Sequence, residues 1–112
     1  MTSTNTPSPY VVLENNIYNA SYPGWKAMDS NTTSTFFWTI GSTNGPADWL
    51  QIDFGSSINI QSMYIKAGNN QSYAPTGFKI YGSDTGAFAG EETLITSQSG
   101  LPSVAGQVTN VG

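Results

Sequence analysis

"DWLQIDFG", residues 48–55, alternates without a break: Leu50, Ile52 and Phe54 fall on one side, Trp49, Gln51 and Asp53 on the other. A period of two with the aliphatic residues on one side reads as a half-buried β-strand, and Gly55 followed by two serines ends it. Neighbouring stretches have the same character. "YVVLEN" (10–15) is a short Val-rich run, "TGFKIYGSD" (76–84) sets Phe78 and Ile80 against Lys79 and Tyr81, and "ETLITSQ" (92–98) is a further strand. "INIQSMYIKAG" (58–68) starts with Ile58 and Ile60 in phase and then shifts to Met63 and Ile65, a slip that predicts a bulge within one strand.

Clusters of Gly, Pro, Asn and Ser at 41–48, 55–57, 67–77, 82–90 and 97–103 separate these runs. The one helical segment expected is "PGWKAMD" (23–29), about a single turn opened by a proline. Short strands divided by turns make an all-β sandwich or barrel. Residues 1–8, all Thr, Ser, Asn and Pro after Met1, read as a flexible leader, with one domain over 9–112.

Charged residues are only 9% of the 112, so the surface is hydrated mainly by neutral Asn, Ser, Thr and Gln. The net charge is −4, with three lysines and no arginine, which argues against nucleic acid and against an anionic membrane as partner. There is no Cys and no His, which removes disulfides, thiolate sites and every Ser-His or Cys-His catalytic arrangement. Carboxylate pairs could be drawn from Asp29, Asp48, Asp53, Asp84, Glu91 and Glu92, but turn carboxylates usually satisfy backbone N–H groups, and the expectation is a protein that is not an enzyme. "MTSTNTPSPY" has neither the basic nor the apolar part of a secretory signal.

The aromatics divide into two groups. Trp49, Phe54, Tyr64, Phe78 and Tyr81 lie on strand patterns and are expected in the core or on a sheet face. Tyr18, Tyr22, Trp25, Phe36, Phe37 and Tyr73 lie in loop-like segments beside Asn, Ser and Gly. A ring face beside amides and hydroxyls suits a sugar, whose C–H patch covers the ring while its hydroxyls bond the polar groups; the alternative is that these rings fold back to cap the core.

Three ordered blocks, "ASYPGWKAMDSNTTSTFFWT", "DWLQIDFGSSINIQSMYI" and "APTGFKIYGSD", resemble the discoidin domain, also called the coagulation factor 5/8 type C domain, and within it the family 32 carbohydrate-binding modules. Ala27, Asp29, Asn31, Thr35, Trp38, Trp49, Leu50, Gln51, Asp53, Gly55, Phe78, Ser83 and Asp84 match the family pattern over residues 9–97. The resemblance implies a jelly-roll β-sandwich that binds sugars, lipids or proteins through loops at one end. It also implies a structural Ca2+ at the turn of Asp29, Ser30 and Asn31, with the Lys26 carbonyl and Thr35 as further oxygen ligands.

Three departures stand out: Ser30 occupies the family's glycine position, the spacing from Asp29 to Trp38 is two residues longer, and the His and Arg that grip galactose in some members are absent. The family continues beyond the point where this chain stops, so the sandwich is expected to lack its last strands. Residues 103–111 should form a strand whose edge is completed by other copies of the chain or by virion proteins.

The expectation is therefore a non-catalytic, carbohydrate-binding module, lectin-like, acting outside the cell or at a virion surface as an adhesin or decoration protein. Its ligand residues would be Tyr22, Trp25, Phe36, Phe37, Asn69, Asn70, Gln71 and Tyr73. The alternative is a structural capsid or tail subunit that uses the sandwich for protein–protein contacts.

Overall fold

The computed structural model describes residues 1–31, 37, 39, 48–68, 75–102, 106 and 108–111. These residues form six strands and one 3-10 turn: β1 (Val11–Glu14), η1 (Gly24–Met28), β2 (Leu50–Asp53), β3 (Met63–Lys66), β4 (Phe78–Gly82), β5 (Thr93–Gln98) and β6 (Val108–Val111). The chain is all-β, as a discoidin-like sandwich requires, with the strands paired antiparallel as β1–β2, β3–β6 and β4–β5. It divides into two compact units, Met1–Ile58 and Asn59–Gly112.

In the first unit Val12 faces Ile52 and Glu14 faces Leu50 across the β1–β2 ladder. Val12 is completely buried, the one fully enclosed side chain among the described residues. On the opposite face, Leu13 and Asp53 are exposed. The one-turn helix begins as its proline predicts: Pro23 is the N-cap with φ −69° and its carbonyl accepts from the Lys26 N–H at 3.1 Å. Gly24 is buried there, and a Cβ on it would lie 2.6 Å from Glu14 Oε2 and 2.7 Å from Leu50 Cδ1, so the turn rests on the same face of the sheet as Val12. Residues 1–10 are joined to this unit by the Val12 N–H on the Thr4 carbonyl (2.8 Å) and the Tyr10 N–H on that of Pro7 (3.1 Å). After β2, Gly55 has φ +75°, and a Cβ would approach Pro9 Cβ to 2.5 Å, so both backbone angle and space ask for glycine.

In the second unit Met63, Ile65, Thr109 and Val111 are half-buried, whereas Tyr64, Lys66, Val108 and Asn110 are exposed, a clean period of two across both strands. Ile65, Ala67, Pro75, Phe78, Leu101 and Thr109 line a small, mainly apolar pocket. In β4–β5 the register steps from Ile80↔Thr96 to Tyr81↔Leu94, leaving Ile95 as an extra residue on β5.

One expectation is corrected and two are made more definite. The phase slip at 58–65 is not a bulge within a strand: β3 begins only at Met63, the boundary between the units follows Ile58, and Ile58 and Ile60 are exposed. The bulge lies in β5 instead. Of the strand aromatics expected in the core or on a sheet face, Trp49, Tyr64 and Tyr81 are 49%, 65% and 42% exposed and so lie outside the core, while Phe54 and Phe78 are half-buried. The strand expected within 103–111 is observed at Val108–Val111, and one of its edges is paired within the chain, to β3.

Candidate functional site

Two polar constellations and one aromatic turn carry the chemistry of the first unit. The turn starts at Tyr18, whose ring meets that of Tyr22 edge-on with centroids 6.1 Å apart. Asn19 holds the bend between them: its side-chain oxygen accepts from the Ser21 N–H at 2.8 Å, and its carbonyl from the Tyr22 N–H at 3.0 Å. These are the local bonds by which Asn favours turns over regular structure. The Lys26 ammonium donates to the Ser21 carbonyl at 2.6 Å and lies 5.7 Å from the Trp25 ring centroid, so its charge is tied down within the turn. Tyr18 is exposed, and Tyr22, Trp25 and Lys26 are half-buried.

At the end of η1, Asp29 is the C-cap, and its Oδ1 accepts from the Asn31 N–H at 2.8 Å. Ser30, between them, has φ +64°. That left-handed angle explains why glycine suits this position, and the Asp29–Asn31 bond helps to hold a serine in it. Asp29, Asn31 and the Lys26 carbonyl, three of the oxygen donors that the resemblance implies for Ca2+, come from one short segment. Among the described residues no three or more His, Cys, Asp or Glu side chains gather as a metal cluster, so a cation site here would combine the one carboxylate of Asp29 with carbonyl, amide and hydroxyl oxygens.

The second constellation joins the β1 exit to the β2 entry. Asp48 accepts through Oδ1 from the Asn16 amide and through Oδ2 from the Thr39 hydroxyl at 2.7 Å. Next to it the Trp49 N–H donates to Asn15 Oδ1 at 2.9 Å. Phe37 is half-buried. Thr35, Phe36, Trp38, Asn69, Asn70, Gln71 and Tyr73 lie outside the described residues.

In the second unit the β4–β5 connection is organised by one carboxylate. Glu91 Oε1 accepts from the hydroxyls of Ser83 and Thr85 (2.7 Å for Thr85) and from the Phe88 N–H at 3.0 Å, and Oε2 from the Ala89 N–H at 2.8 Å. The Ser83 hydroxyl, then that of Thr85, then the Ala89 N–H hold the Glu91 carboxyl far below the ordinary carboxylate range. All these groups stabilise the anion, and Glu91 acts as a structural hub rather than a proton donor. Glu92 similarly accepts from the Gly90 N–H at 2.8 Å. Neither role was legible beforehand beyond the general habit of turn carboxylates. Among the described residues no helix is long and apolar enough to cross a membrane.

No curated protein and no solved structure matches this chain. The family model of the F5/8 type C domain matches residues 3–100. Domains of this kind are generally binding modules rather than catalysts. With nearly the whole sequence covered and an all-β structure beneath it, the chain belongs to the F5/8 type C, or discoidin, domain family.

Proposed function

We propose that the chain is a non-catalytic module whose ligand is a carbohydrate. The observation that carries this reading is the 18–26 turn, where the Tyr18, Tyr22 and Trp25 rings stand among Asn19, Ser21 and a lysine already bonded within the turn. Rings beside neutral hydrogen-bonding groups match a sugar's alternation of C–H patches and hydroxyls. The absence of arginine and the net charge of −4 weigh against phosphate-bearing ligands. Phe36, Phe37, Asn69, Asn70, Gln71 and Tyr73 are proposed to extend the surface. Ca2+ is proposed as a structural ion held by the Lys26 carbonyl, Asp29, Asn31 and Thr35. The setting proposed is extracellular, at a virion surface, where an adhesin with a neutral polar coat would work.

A glycan array with the wild-type chain and with Tyr22→Ala and Trp25→Ala tests the reading. Binding by the wild type that either variant loses supports it; no retention of any glycan overturns it. A structural subunit role is the second reading, favoured by the exposed apolar side chains of Tyr64, Leu94, Ile95 and Val108. Light scattering that finds a stable oligomer without glycan binding would decide for that role.

A further inference from the structure

We infer that residues 1–10 are a strap that closes the outer edge of β1, and that lifting it opens this edge to β1 of a second copy. In an antiparallel ladder the backbone groups of successive residues point alternately towards the partner strand and away from it. The Val12 N–H donates to the Thr4 carbonyl at 2.8 Å, so it faces away from β2. Among the described residues β1 pairs with β2 alone, and Thr4 occupies the side on which a further strand would pair. Val12 is also the fully buried residue, so the strap is attached where the core of this unit is most enclosed.

Both ends of the strap are fastened as well. The Met1 nitrogen donates to the Met28 carbonyl, at the end of η1, at 2.8 Å. The Thr2 N–H donates to the Thr6 carbonyl at 3.1 Å, and Ser3 and Thr6 form an antiparallel bridge, so the first six residues fold on themselves. At the other end Pro9 fills the space that Gly55 leaves, and the Tyr10 ring meets that of Phe54 edge-on, with centroids 6.4 Å apart. The segment thus spans from η1 to the exit of β2, all within the first unit.

Its composition suits the task. An open edge presents unpaired N–H and C=O groups and invites another strand. Pro7 and Pro9 have no N–H, so the segment that covers β1 does not offer a regular edge in its turn. With the strap away, the "VVLE" edge of one copy meets the same edge of another. Two like strands pair antiparallel about a two-fold axis, which makes a second copy the self-complementary partner.

The test is backbone amide hydrogen exchange on the full 15N-labelled chain, with light scattering beside it. Neither readout involves a sugar, so the carbohydrate reading stands or falls separately. The Val12 amide should exchange at least about a hundredfold more slowly than an unprotected amide. Pro9→Gly removes the ring beside Gly55 and frees the backbone of the strap. It should speed the Val12 amide by about tenfold or more and leave the Val11 and Leu13 amides, which point to β2, as they were. The mass of this variant should rise with protein concentration more steeply than that of the wild type. A Val12 amide that exchanges like an unprotected one in the wild type overturns the inference, by a measurement that needs no variant to fold. Equal speeding of the Val11, Val12 and Leu13 amides would mean that β1 loosens as a whole, and it overturns the strap. If Pro9→Gly frees the Val12 amide but its mass follows that of the wild type, the edge does not pair with a second copy, and the inference is overturned.

Discussion

The Ser83 hydroxyl, at the end of β4, donates to the carboxylate of Glu91, eight residues later, just before β5. Together with Thr85, Phe88 and Ala89 it turns a run of small residues into a single anion-centred loop. The loop holds Phe88 at φ +49°, an angle that a phenylalanine rarely adopts unaided.

Replacing Glu91 by Gln should lower the melting temperature at pH 7 and speed hydrogen exchange at the Phe88 and Ala89 amides. The folded state holds this carboxyl below its unfolded value, so its stabilisation is complete above about pH 4.3. Below that the unfolded chain takes up the proton first, and the contribution falls with falling pH. Melting curves between pH 5 and pH 2, in units of about one, should show a shallower decline for Glu91→Gln than for the wild type. Parallel declines would show that the hydrogen bonds around Glu91 do not set its affinity for a proton.

Ser30 makes the opposite case, a residue whose replacement should help. A non-glycine residue in the left-handed region costs about 1–2 kcal/mol, and glycine gives back about 0.4–1 kcal/mol through its freer unfolded chain. Ser30→Gly should therefore stabilise by about 0.5 kcal/mol, whereas a branched Ser30→Val should destabilise by about 1 kcal/mol. Denaturant midpoints for the three chains give the order, and a wild type more stable than both would mean that the serine side chain does more here than tolerate its angle.

Calcium, if held at this turn, should raise the melting temperature by mass action, by about 2.7 kcal/mol of stability at a hundredfold excess over its dissociation constant. Asp29→Ala should remove the response. A melting curve that EDTA and added Ca2+ leave in the same place would exclude the ion.

Burial separates two further substitutions. Val12 is fully enclosed, so Val12→Ala should cost about 2 kcal/mol. Tyr64 is 65% exposed, and Tyr64→Ser should change stability by no more than about 0.5 kcal/mol. Urea unfolding of both variants checks the contrast; equal losses would place Tyr64 against a partner surface.

That contrast also marks how far the sequence could be read. The strands at 11–14, 50–53, 78–82 and 93–98 and the proline-opened turn were legible because alternation, β-branching and flanking Gly or Pro agreed. The same alternation already placed Trp49 with Asp53, Tyr64 with Lys66 and Tyr81 with Lys79, on the wet side of their strands. Size had left core and sheet face both open for these rings, and phase decided. The stretch 58–62 misled for the converse reason: Ile58 and Ile60 look like strand residues, but the unit boundary after Ile58 interrupts the run. Of the candidate site, the Asp29–Asn31 turn was legible as a motif. The carboxylate knots at Asp48 and Glu91 were not, because their partners lie up to 32 residues away or depend on a loop path that no local pattern encodes.

The extra residue at Ile95 bears on how a second copy of the chain could pair along β5. "TLITSQ" has the makings of a fibril-forming segment, uncharged, proline-free and rich in β-formers, with Leu94 and Ile95 about half exposed. A bulge bends and twists the strand that bears it, so a second copy cannot lie flat along the full length of β5 with every backbone group in register. Restoring a regular ladder by deleting Ile95 would remove one apolar side chain and still, on this reasoning, make the chain more prone to precipitate.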